Sequence, residues 1–94
     1  MALQLLDAVE VQQALAQHLR RRREVAKLSR DALAQRSLVP APTIKKFELT
    51  GQISLRQLLL LWQSLDDLQR LFDLTRTEVT TLPGSIDEVL KGEF

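Results

Sequence analysis

Ninety-four residues are enough for one domain with a single core, and a core of that size gains from pairing with a second copy. The absence of cysteine excludes a disulfide framework and thiolate chemistry, and the lone histidine has nothing of metal-ligand spacing beside it. Net charge is only +1, but it is unevenly spread: residues 18–56 hold ten arginines and lysines against three carboxylates, and residues 57–94 hold three against seven. A basic half of this kind suits a polyanionic partner.

In chain order, residues 1–6 read as a frayed start. Asp7 and Glu10 then have capping-box spacing for a first helix reaching Glu24 or Val25, with Val11, Ala14, Leu15, His18 and Leu19 as its apolar stripe. Its end carries Arg20, Arg21, Arg22 and Arg23, which cannot share one helical face. At least one must therefore turn inward, and the others meet solvent or a partner. Ser29 caps a second helix, with Leu33 and Ala34 facing the core, that ends near Ser37. Residues 37–40 reverse the chain into a third helix. A residue before proline is pushed out of the helical region, which places Ala41 at the N-cap and Pro42 at the first helical position. Ile44 and Phe47 point inward, and Lys45 and Lys46 are left outside.

After Glu48, Gly51 is the natural turn residue of a loop over residues 49–53. Ser54 with Gln57 signals a fourth helix, whose stripe is Leu55, Leu58, Leu61, Trp62 and Leu65. Leu59 and Leu60 widen its apolar surface beyond one narrow face, so a second chain or the following segment is expected to cover them. Ser64 with Asp67 opens a fifth helix or a bent extension through Leu68, Leu71 and Phe72, with Trp62 and Phe72 read as core. Two regions result, 1–72 as the domain and 73–94 as a tail for dimerisation or partner binding. Within the tail, residues 75–82 are rich in β-branched residues and predict a short strand, which needs the same strand of a second subunit as its partner. Val79 and Leu82 belong to that contact. Pro83 and Gly84 break the chain before a capping box, Ser85 with Glu88, for a short helix over residues 86–90.

The spacing of Leu28-Ser29, Leu33-Ala34, Val39, Thr43-Ile44, Phe47-Glu48 and Ser54-Leu55 resembles the Cro/CI-like, or Xre, helix-turn-helix family. That family's pattern runs roughly LSQEELA, GVS, STISRIE, SLETL, and the match covers about residues 11–72. The resemblance implies an all-α, five-helix, lambda-repressor-like DNA-binding domain. Carried over position by position, it assigns Arg30 to a phosphate or base edge. Ala41, Pro42, Thr43, Lys45 and Lys46 fall on the exposed start and outer face of the recognition helix, and Thr50 and Gln52 are candidates for phosphate contacts. It also pairs Arg23 with Glu48, holding the first helix against the third.

Ala41 and Pro42 depart from the pattern, because neither side chain donates a hydrogen bond to a base. Direct readout then rests on Thr43, Lys45 or Lys46, and specificity per half-site is expected to be modest. Within the superfamily, the β-prone stretch and short tail look like HipB-type antitoxins, which repress their own operon and bind a HipA-type serine/threonine kinase toxin. A kinase or split-kinase module would then be the partner, beside operator DNA and a second copy.

Two alternatives stand beside this reading: a stand-alone Xre-type repressor, and a helical adaptor that binds only protein through Leu59, Leu60 and the acidic tail. No catalytic residue, metal or cofactor is expected, since glycine-rich phosphate loops and nucleophile signatures are missing. With no long apolar run or leader signal in the sequence, the expected location is the cytoplasm and no membrane partner is foreseen.

Overall fold

The computed structural model describes residues 5–76. They form five helices and no strand: α1 (Ala8–Val25), α2 (Arg30–Ser37), α3 (Ala41–Thr50), α4 (Leu55–Leu65) and α5 (Leu68–Asp73). The chain is all-α over this span. No helix among the described residues is long and apolar enough to cross a membrane. The strand expected from Thr75 is absent at its first two residues. Thr75 and Arg76 instead sit in a turn tied to Phe72 and Asp73, where the Thr75 hydroxyl donates to the Phe72 carbonyl. Val79, Leu82 and the short helix over residues 86–90 lie outside the described residues.

Local chemistry sets the helix ends. Asp7 and Glu10 complete a reciprocal capping box at the start of α1. Ser29 accepts from the Ala32 N–H to start α2, and Ser54 accepts from the Gln57 N–H to start α4. The Gln57 side chain meets the Ser54 hydroxyl rather than its backbone, so that box is half made. Ser64 starts nothing: its hydroxyl bonds back to the Leu60 carbonyl inside α4, and Asp67 caps α5 by accepting from Gln69. α3 begins one residue earlier than the proline rule predicts, with Pro40 as N-cap and Pro42 in the second helical position. In a first turn Pro42 forfeits no intrahelical hydrogen bond and its ring meets no helical carbonyl four residues back, so only the local restriction on Ala41 opposes the helix, and Ala41 enters it.

Three residues in the left-handed region reverse the chain between helices. Lys27 (φ 59) follows α1, and its N–H and that of Leu28 bond back to Glu24 and Arg23, the two bonds of a Schellman motif. Leu38 (φ 67) ends α2 and Gly51 (φ 81) ends α3. Only the last is a glycine.

The core is Ala16, Leu19, Leu33, Val39, Ile44, Phe47, Leu61, Trp62 and Leu65, with Leu15, Leu28, Ile53, Leu58, Leu60, Leu68 and Leu71 packed around it. α1 lies across α3 and α4, α2 across the same two helices, and α5 adds to α4. The predicted stripe of α1 is rotated by part of a turn: Val11 and Ala14 are exposed, and Ala16 with Arg23 takes the inner face. Leu55 is 70 % exposed and Phe72 56 % exposed, so neither is the core residue that helical spacing predicts. Each sits at an end of the α4–α5 layer, where no other described helix covers it.

Candidate nucleic-acid interface

The four consecutive arginines take four different paths. Arg20 pairs with Glu24 one turn on, at 3.2 Å, and Arg21 is exposed. Arg22 donates from Nε to the Leu65 carbonyl at 2.9 Å, satisfying one of the orphan carbonyls at the end of α4. Arg23 turns inward and grips Glu48 with two nitrogens, Nε at 2.7 Å and Nη2 at 3.1 Å, while Nη1 holds the Leu28 carbonyl at 2.9 Å. One guanidinium thus joins α1, the α1–α2 turn and α3.

Glu48 is shared. Arg30 Nε reaches its Oε1 at 2.9 Å, which ties the first residue of α2 to an internal carboxylate while its side chain stays 31 % exposed. Burial alone pushes the Glu48 carboxyl up, but the hydrogen bonds and charges of Arg23 and Arg30 overcome it and hold the carboxyl below its ordinary value.

The outer face of α3 is built on this support. Lys45 and Lys46 are exposed, as is Pro42, with Ala41 and Thr43 half-buried at the helix start. No side chain caps α3, so its first turn keeps free amide donors beside these residues. Pro42, Thr43 and Lys46 form one wall of a groove of about 390 Å³, and Gln52, Ile53 and Gln57 form the other. The structure therefore brings Thr43, Lys46 and Gln52 together.

Thr50 is spent locally: its hydroxyl donates to the Lys46 carbonyl at 2.7 Å and accepts the Gln52 N–H at 3.1 Å, shaping the turn after α3. Gln57 is an addition that sequence reading used only as a cap. Its place three residues after Ser54 was visible, but its approach to the groove wall formed by Lys46 depends on how the turn after α3 sets α4. Lys27, Arg36, Lys45, Lys46 and Arg56 are exposed and form no ion pair among the described residues.

A second polar cluster went unseen in the sequence. His18 Nε2 lies 2.7 Å from Asp66 Oδ2, with its ring tilted over Trp62 at a centroid distance of 5.2 Å. An ionised carboxylate only accepts, so His18 donates. Arg70 reaches both Asp66 oxygens at 3.0 and 3.1 Å, and the Asp67 N–H adds another bond. The cluster ties α1 to the α4–α5 junction, and no group of metal-ligating residues occurs among the described residues.

No protein-family model, curated protein or solved structure matches the chain in the corresponding searches.

Proposed function

We propose that the chain is a double-stranded DNA-binding repressor of Cro/CI-like architecture that acts as a homodimer, with α2 and α3 as its helix-turn-helix. One observation carries the reading. α3 presents two unpaired lysines and an uncapped first turn beside a groove lined by Thr43, Lys46, Gln52 and Gln57, while its inner face is locked to α1 through Glu48 and Arg23. A recognition helix needs both features, because base-edge contacts require a fixed orientation and phosphate contacts require free positive charge. Within this class, the HipB-type resemblance favours an autoregulating antitoxin that neutralises a HipA-type serine/threonine kinase toxin. The protein has no catalytic role of its own in this reading, and it works in the cytoplasm.

The test is fluorescence anisotropy against the DNA upstream of the protein's own gene and against a shuffled fragment of equal length, at two salt concentrations. The reading expects tighter binding to the upstream DNA and a steep loss with salt. Equal or undetectable binding to both fragments would instead favour the helical adaptor, which has the exposed leucines of α4 in its support.

A further inference from the structure

The helix-turn-helix reading leaves the far side of the domain without a role. There Leu55, Leu59, Leu60 and Leu68 line a hollow of about 330 Å³ with Arg56 on its lip. A second hollow of about 300 Å³ continues from Leu59 and Leu68 to Leu71, Phe72 and Thr75. The shared walls make one apolar groove along α4 and α5. It leaves two large side chains, Leu55 and Phe72, uncovered.

We propose that this groove is the seat of the chain's own C-terminal segment, residues 85–94, docked in cis. Three observations select this occupant. The groove ends at Thr75, one residue before the described chain ends, so the chain leading to this segment departs beside the surface it would cover. Its sequence carries Ile86, Val89 and Leu90 at steps of three and four, an apolar stripe of the kind a helix lays into a groove. Charge is also complementary. Residues 77–94 hold Glu78, Asp87, Glu88 and Glu93 against Lys91 alone, and the groove is flanked by Arg56 and by Arg76, whose guanidinium lies 5.5 Å from the Phe72 ring centroid.

Reach permits the arrangement. Nine residues separate Arg76 from Ile86, and the ten steps between them span up to about 33 Å when extended, whereas the eleven residues of α4 are about 16 Å long. The chain can pass along the groove and return after the Pro83-Gly84 break. A tether of this length gives an effective concentration on the order of millimolar, which favours the chain's own segment over a second copy at micromolar protein.

This inference does not depend on DNA binding, and it leaves pairing between copies to other surfaces. The test uses the full chain, whose lack of cysteine makes Gly92→Cys a unique attachment point for a nitroxide. Methyl spectra of Leu59, Leu68 and Leu71 are recorded with the label oxidised and reduced. They are recorded again in a mixture of isotope-labelled, unspun chain with spin-labelled, unlabelled chain. Docking in cis predicts strong broadening of these methyls within one chain and none across the mixture. It also predicts loss of that broadening in an Ile86→Asp/Leu90→Asp variant, which touches none of the described core. Broadening only across the mixture would assign the groove to a second copy and overturn the proposal. Absence of broadening in both samples would overturn it as well.

Discussion

Glu48 shows how one buried carboxylate organises three helices. Its side chain is 2 % exposed and receives Arg23 from α1 and Arg30 from α2, so the carboxylate is stable only while both cations stay in place. Removing one partner of a buried pair leaves an uncompensated charge, which costs about 3–5 kcal/mol, whereas an apolar pair of similar volume is often close to neutral. Glu48→Leu is therefore expected to lower unfolding free energy by about 3 kcal/mol in urea titration. Arg23→Met combined with Glu48→Leu should recover much of that loss, and simple additivity in the double variant would show that the pair is not coupled.

Asp66, together with Glu48, carries the acid dependence. The His18 hydrogen bond, opposed by burial and assisted by the Asp67 N–H and by Arg70, holds the Asp66 carboxyl at about 2. A carboxyl depressed in the folded state binds protons more weakly there than when unfolded. Its stabilisation is thus fully present above the unfolded value and drains away as pH falls through the folded value. Stability should decline between about pH 4 and pH 2, and His18→Phe should flatten that decline in acid titrations followed by circular dichroism. Arg23 with Glu48 was legible from a family resemblance. His18 with Asp66 was not, because the residues are 48 positions apart and the stripe of α1 accounts for His18 without any polar partner.

At the scale of elements, caps and reversals decide where each helix stops, and most of them could be read from single residues. Asp7, Ser29, Ser54 and Gly51 each announce a boundary through side-chain or backbone chemistry that acts within four residues. Tertiary placement was less legible. Leucines at helical spacing look the same whether a neighbour covers them or not, which is why Leu55 and Phe72 were placed in the core, and the inner face of α1 was misplaced because Arg23, a charged residue, occupies it.

The turn between α2 and α3 carries a cost. Leu38 is 82 % exposed, contributes nothing to the core, and holds the left-handed conformation that disfavours a Cβ. Leu38→Gly should raise stability by about 0.5–1 kcal/mol, visible as a higher midpoint in thermal melts; an unchanged or lower midpoint would mean that this side chain packs in a way the exposure hides. Gly51 is the opposite case. A Cβ there would lie 3.1 Å from the backbone carbon and the Cβ of Gln12, at a positive φ, so space and conformation both resist it. Gly51→Ala is expected to cost about 2 kcal/mol and to loosen α1 from α3.

Across the whole molecule, charge separates the work of the two halves. Of the three carboxylates in residues 18–56, two are engaged internally or with a neighbouring turn, Glu48 with Arg23 and Arg30 and Glu24 with Arg20, and Asp31 is exposed. The lysines of α3 have no internal partner among the described residues, so their positive charge is available to a polyanion. If they meet phosphates, each releases bound counterions, and the slope of log affinity against log salt carries roughly 0.9 per contact. Lys45→Ala/Lys46→Ala should then reduce that slope by roughly two and weaken binding to operator and shuffled DNA alike. Both lysines are exposed and unpaired, so the melting temperature should hold. Thr43→Val makes the complementary change. It keeps the shape of the groove wall while removing a donor and acceptor, so it should narrow the difference between operator and shuffled DNA and leave the salt slope intact. A lysine double variant with unchanged slope and affinity would remove α3 from the interface, because among the described residues Lys46 is the cation that lines the groove with Thr43 and Gln52.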